Sequence, residues 1–208
     1  MHLKRNEMPR TWPLKRKGTK YVACSISDLE NSIPFVIALR DILELAETAK
    51  EAKRILISGK VKINGKTIRE ENFPLTLFDV LSLDEKCYKL ILKNKKFHFL
   101  AVNEKEANHK IAKIIGKKMQ KKNIIQLNLS DGRNYIIKEK ASVGDSILTY
   151  FKDNKSEILP FKQGSKVIFI SGKHLGEEGI VEKIQEDLVI VKSKENMNTK
   201  QESLMVIK

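Results

Sequence analysis

Lys50, Lys53 and Arg54, followed by Lys60, Lys62, Lys66 and Arg69, are the residues of this chain whose types and spacing could do chemistry. That chemistry is charge neutralisation. Ammonium and guanidinium groups gathered on one surface neutralise neighbouring phosphates and release their counterions. Bond making has different requirements, and the sequence does not meet them. It offers no nucleophile beside a base, no cluster of metal ligands and no glycine-rich phosphate loop. Cys24 and Cys87 stand far apart without a Cys-x-x-Cys pair, and there are four histidines, so no structural zinc site is expected. Asp79, Asp131 and Asp145 read as strand-end or turn residues. Neither a metal nor a cofactor nor a small-molecule substrate is expected.

The elements that must position these cations are legible. Thr48 can cap the amide of Glu51 while Glu51 reaches back, a Thr-x-x-Glu capping box. Beyond it Lys50, Lys53 and Arg54 fall at i, i+3 and i+4 on one helical face, and Ala49, Ala52 and Leu56 share another. Gly59 is placed to stop the helix in a left-handed conformation. Lys60-Val61-Lys62-Ile63 and Lys66-Thr67-Ile68-Arg69 flank Asn64-Gly65, the strongest short signal for a type I′ hairpin turn. That turn pairs 63 with 66, 62 with 67, 61 with 68 and 60 with 69. Val61, Ile63 and Ile68 then share one face, and Lys60, Lys62, Thr67 and Arg69 the other. Before this unit, Ile33 to Leu43 reads as a mostly apolar helix with Pro34 in its first turn, the buried partner of the helix at 48–58.

The chain of 208 residues carries a formal charge of +14. The excess is +6 over residues 1–75, +7 over 76–160 and only +1 over 161–208. A field of this sign attracts polyanions without specifying one. Apolar residues make up 41 %, enough for packed cores. No apolar stretch has the length of a membrane span, so a soluble intracellular protein is expected.

Residues 1–20 hold seven cations against one acid, with Pro9 and Pro13 interrupting any helix. They read as an extended basic arm anchored by Trp12, whose indole could stack on a base or lodge in a protein pocket. After Leu75 the apolar period becomes two, giving short strands around 79–83, 88–92, 97–102, 111–115, 124–129, 135–138, 146–151 and 157–161. Between them Gly116-Lys117-Lys118-Met119-Gln120-Lys121-Lys122 reads as a basic turn, a second candidate for phosphate. The last segment has glycines at 164, 172, 176 and 179 among Val167, Phe169, Val181 and Ile184, with Lys173 and His174 at a loop tip. Strands at 188–191 and 203–207 complete a small five-stranded barrel. His174 reads as a surface histidine or an RNA contact.

Residues 33–75, with the Gly59-Lys60-Val61-Lys62-Ile63-Asn64-Gly65-Lys66 hairpin, resemble the S4 RNA-binding domain, and residues 163–190 resemble a KOW motif. Their order, after a start of His2-Leu3-Lys4-Arg5 and Trp12, is similar to the small-subunit ribosomal protein S4e family over essentially the whole chain. The chain ends soon after the KOW-like unit, which points to archaeal rather than eukaryotic members. The resemblance implies an α+β multidomain protein. Its parts are a basic N-terminal arm (1–32), an S4-type helix-helix-hairpin domain (33–75), a central antiparallel β-rich domain (76–160) and a KOW, SH3-like small β-barrel (161–208).

It further implies a structural constituent of the small ribosomal subunit, cytoplasmic and not an enzyme, with ribosomal RNA and neighbouring small-subunit proteins as partners and no membrane. The residues expected on RNA are His2, Lys4, Arg5, Arg10, Trp12, Lys15 and Arg16 in the arm. Lys50, Lys53, Arg54, Lys60, Lys62, Asn64, Lys66 and Arg69 follow in the helix–hairpin, and Lys117, Lys118, Lys173 and His174 beyond it. Two rivals differ in class. One is a KOW-containing translation or transcription factor bound transiently. The other is an S4-domain RNA-modifying enzyme such as a pseudouridine synthase, for which the interval before the KOW-like unit is small.

Overall fold

In the computed structural model, residues 2–84, 86–104, 106–120, 124–151, 155–185, 188–193 and 196–208 are described. They divide into two compact units, residues 1–110 and residues 111–208.

The first unit begins with two short strands, β1 (Leu3–Lys4) and β2 (Tyr21–Val22), paired antiparallel. β3 (Ser32–Pro34) leads into α1 (Phe35–Ile37), which widens into a π turn over Ala38–Ile42. The expected helix at 33–43 therefore starts two residues late. Pro34 holds an extended ψ of 141° as the residue before the helix, and Ile33 pairs with Leu75 of a later strand. The π turn is closed by the amide of Leu43 donating to Ala38 O at 3.0 Å. Phe35 through Leu39 are all buried, as their near-continuous apolar character requires.

α2 (Ala49–Ile57) is the basic helix, and β4 (Val61–Ile63) with β5 (Lys66–Thr67) is the hairpin. Next come β6 (Pro74–Thr76), β7 (Val80–Leu83), β8 (Lys86–Lys93) and β9 (Lys96–Val102). β6 pairs with β3, while the other four strands form one antiparallel sheet with β5 in the order β5-β4-β7-β8-β9. The hairpin is thus backed by strands from beyond residue 75, and the sheet runs without a break across 75/76. Val61, Ile63, Leu81 and Leu90 supply its buried side.

β10 (His109–Met119) begins at the end of the first unit, and from Ile111 on it belongs to the second, which adds β11 (Ile125–Leu129), β12 (Asn134–Ile137), β13 (Ser146–Tyr150) and β14 (Ser156–Leu159) in the order β12-β11-β10-β13-β14. A bulge between Ile114 and Gly116 interrupts β10, and Lys117 and Lys118 lie on the strand opposite Leu127 and Gln126. The expected basic turn is therefore a strand as far as Met119; Lys121 and Lys122 lie outside the described residues. Adjacent lysines after a bulge erase the alternation by which a strand is recognised.

A second five-stranded antiparallel sheet follows, β18-β17-β16-β15-β19, from β15 (Lys166–Phe169), β16 (Glu178–Gln185), β17 (Leu188–Lys192), β18 (Asn196–Lys200) and β19 (Leu204–Val206). β18 was not legible in the sequence, because only Met197 of Asn-Met-Asn-Thr-Lys is buried. Val167, Phe169, Val181, Val191, Leu204 and Val206 share this unit's second core. At Gly179 a side chain would meet Val191 Cγ1 at 2.5 Å and the carbonyl oxygen of Lys192 at 2.9 Å, so only glycine lets β17 approach this closely.

Candidate nucleic-acid interface

Thr48 Oγ1 accepts the amide of Glu51 at 3.2 Å, as the sequence predicts. The return bond is displaced by one residue: the Glu51 carboxylate accepts from the amide of Glu47 at 2.9 Å, not from that of Thr48. The helix start is fixed either way, and Glu51 complements the positive end of the helix dipole. Ala52 and Leu56 are fully buried, whereas Ala49 is exposed, so the apolar seam is narrower than expected. Lys50, Lys53 and Arg54 are exposed on the opposite side. Gly59 ends the helix at φ +74°.

The hairpin turn has φ +52° at Asn64 and +78° at Gly65, the positive pair a type I′ turn demands. Ile63 pairs with Lys66 and Lys62 with Thr67, and the amide of Ile68 still reaches Val61 O at 3.4 Å. The ladder stops there, and 60 and 69 do not continue it. Val61, Ile63 and Ile68 are buried while Lys60, Lys62, Lys66, Thr67 and Arg69 are exposed. Lys60 lies 3.5 Å from the exposed Asp84 carboxylate, an ion pair that solvent and salt weaken.

Asn64 requires a correction. Its amide nitrogen donates to Asp79 Oδ1 at 2.6 Å and its oxygen accepts the amide of Val80 at 3.0 Å, so the side chain is directed into the protein and not toward a ligand. It belongs to a buried network that the sequence did not reveal. Lys110 Nζ, at 1 % residue exposure, donates to Asp79 Oδ1 at 2.7 Å and to Thr76 Oγ1 at 2.9 Å. Asp79 Oδ2 accepts from the Thr76 amide at 2.6 Å and from its hydroxyl at 2.9 Å. Asp79 does stand where a turn meets the start of β7, as expected, and its buried carboxylate is also the network's central acceptor. The turn presenting it holds Phe78 at φ +64°, a conformation costing roughly 1–3 kcal/mol for a bulky residue. The Phe78 amide bonding to Leu90 O at 2.8 Å, and this network, offset that cost. Two signals were present: the Thr76-x-x-Asp79 spacing, and Lys110 directly before the apolar Ile111-Ala112.

The N-terminal arm is not extended. Leu3, Met8 and Trp12 are buried, and Trp12 Nε1 donates to Ser32 O at 2.9 Å, so the indole lodges in protein. Arg5 spends its guanidinium on Thr19 O, Lys15 O and Thr19 Oγ1 at 2.7–2.9 Å, and Arg16 donates to Asn6 O at 3.0 Å. Such forked donation to carbonyls folds a cationic segment on itself. His2, Lys4, Arg10, Lys15 and Arg16 remain exposed. His2 lies 5.6 Å from the Tyr21 ring, and Lys4 is 3.9 Å from Glu7.

In the second unit Lys117 and Lys118 are exposed, with Lys117 Nζ donating to Ala141 O at 3.3 Å. Lys173 is exposed, and His174 is half-buried with Nδ1 at 3.3 Å from Glu177 and its ring 5.8 Å from Phe169. Lys113 is buried, and its Nζ donates to the carbonyls of Gln201 and Glu202 at 2.8 and 2.7 Å. Burial pushes its ammonium down to about 8, against a smaller opposing pull from Glu202. Burial likewise lowers Lys89, which lies 5.4 Å over the Phe78 ring, with Glu106 partly opposing. Among the described residues no group of three His, Cys, Asp or Glu side chains could hold a metal ion, and no helix is long and apolar enough to cross a membrane.

Residues 41–81 match the model of the S4 domain, and residues 84–156 match that of ribosomal family S4e. The small ribosomal subunit protein eS4 of Methanocella arvoryzae is 35 % identical, over 88 % of this chain and 81 % of its own. That of Methanosphaera stadtmanae is 34 % identical, over 99 % and 88 %. The crystal structure of the 30S ribosomal protein S4e from Thermoplasma acidophilum superposes with a TM-score of 0.76 at 29 % identity, covering 86 % of this chain and 95 % of that one.

Proposed function

Because the chain belongs to the small ribosomal subunit protein eS4 family, we propose that it anchors folded ribosomal RNA through the helix–hairpin surface of residues 48–69. It is a structural constituent of the small ribosomal subunit, and its family is not an enzymatic one. The observation that carries the proposal is the sidedness of the S4 segment. Lys50, Lys53, Arg54, Lys60, Lys62 and Arg69 are exposed, while Ala52, Leu56, Val61, Ile63 and Ile68 beneath them are buried; Lys66, paired with Ile63, is exposed at the edge of the apolar face. A rigid underside holds the cations at fixed spacing, so they meet phosphates without first being ordered. Shape and charge, not base edges, are what such a surface reads on folded RNA.

The remaining assignments follow from this reading. His2, Lys4, Arg10, Lys15 and Arg16 on the folded N-terminal segment and Lys117 and Lys118 on β10 extend the contact to further phosphates. Residues 161–208 form a KOW module; five antiparallel strands and the close approach at Gly179 support it. Its small net charge suits packing on a neighbouring small-subunit protein, with Lys173 and His174 at the margin facing RNA. Ribosomal RNA and neighbouring proteins are the partners, in cytoplasmic ribosomes.

Charge reversal at Lys53, Arg54 and Lys62 tests the anchor. Loss of three phosphate contacts lowers the slope of log K against log salt by roughly 2–3 on small-subunit RNA. An unchanged slope removes the helix–hairpin from the interface. Retention of the protein on small subunits through a high-salt wash separates an integral component from a transient factor.

A further inference from the structure

A concavity of about 570 Å³ opens on the N-terminal segment of the first unit, and no established role accounts for it. Pro9 and Leu14, half-buried over the buried Met8 and Trp12, line its apolar part, and Arg10, Arg16 and Lys96 its cationic part, with Asn6 also lining it. No carboxylate is among the lining residues. Its size falls in the ~300–1,000 Å³ range of small-molecule sites. The shape is built, not incidental. Trp12 is fixed by its bond to Ser32 O, and the amide of Phe97 donates to Thr11 O at 2.8 Å, which brings the neighbouring Lys96 to the rim. Arg16 is steadied by Asn6 O through one of its five N–H donors, leaving the others for a ligand.

Resting on the ribosomal reading above, we propose that this concavity takes a single unstacked nucleotide. The base lies against the apolar side and the arginine planes, and its phosphate meets the cationic rim. A flat apolar ring carrying an anion satisfies both halves of the site at once. Extruded bases held by apolar and guanidinium surfaces are the common means of recognising single-stranded RNA. The Asn6 amide can donate to and accept from a base edge. The nucleotide is one exposed in a loop or bulge of RNA, and a free mononucleotide presents the same chemistry.

The test uses the full-length protein, a 5′-phosphorylated tetranucleotide carrying 4-thiouridine, AMP, an RNA stem-loop from the small subunit and polyglutamate. The double variant Lys96→Ala/Leu14→Trp removes one rim cation and fills the apolar part. It weakens tetranucleotide binding about tenfold and stem-loop binding by a smaller factor. Lys53→Glu/Arg54→Glu does the reverse, and photocrosslinks map to residues 6–16. AMP binding as tightly as the tetranucleotide upholds the site and assigns it to a free nucleotide. Tetranucleotide binding that is absent or unmoved by the pocket variant, or displaced equally well by polyglutamate, overturns the proposal. If the wild-type protein fails to bind the stem-loop as well, the ribosomal anchor fails separately.

Discussion

In the helix–hairpin of residues 48–69 the cations stand out from an apolar underside, whereas in residues 2–22 two guanidinium groups are tied to backbone carbonyls of their own segment. The two stretches are similarly basic as sequence. Lysine makes up five of the seven cations in the first and four of seven in the second; Arg5, by forked donation to Lys15 and Thr19, and Arg16, by one bond to Asn6, organise the second. Charge density alone therefore does not show which cations are exposed on a platform and which tie their own segment together. The residue type and the carbonyls within its reach do.

The largest expected effect lies beneath the platform. Asp79→Ala leaves the buried Lys110 ammonium without its carboxylate and Asn64 without its acceptor, and should cost about 3–5 kcal/mol. Urea unfolding followed by Trp12 fluorescence reports on this unit directly; a midpoint near that of wild type would show that the turn holds itself. Next comes the direct contrast between the two basic stretches. Arg5→Met loses three bonds and should destabilise by about 1 kcal/mol or more, while Lys53→Met stays within about 0.5 kcal/mol. Equal thermal shifts for the pair would erase the distinction. Gly59→Ala is smaller still. Nothing obstructs a Cβ there, so only the left-handed φ of +74° opposes it, at about 1 kcal/mol.

The sequence carried the platform because each of its signals is local. A cap at Thr48, a stop at Gly59 and an Asn-Gly turn act over a few residues, and the structure keeps all three. It did not carry what depends on distant partners. The folding of residues 2–22 needs carbonyls 10 to 14 positions away, and the Asp79–Lys110 pair spans 31 residues. Pro34 looked like a helix start because its φ suits both states; only its pairing partner, Pro74, places it in a strand. Lys117 and Lys118 were misplaced in a turn because the bulge before Gly116 removed the alternation.

An effect of pH is expected in the second unit. Lys113 titrates near 8 when folded and near ~10.4 when unfolded. Between those values the unfolded chain binds the extra proton, so this group's contribution to stability rises as pH increases from about 8 to ~10.4. Subtracting the profile of Lys113→Met from that of wild type isolates the rise, and a flat difference would refute the assigned shift.

Lysine acetylation of the free protein and of the assembled small subunit, read residue by residue by mass spectrometry, probes the anchor most directly. Lys50, Lys53, Lys60 and Lys62 should react readily in the free protein and be protected together in the subunit. If all four acetylate as fast in the subunit as in free solution, the helix–hairpin faces water and another surface holds the RNA.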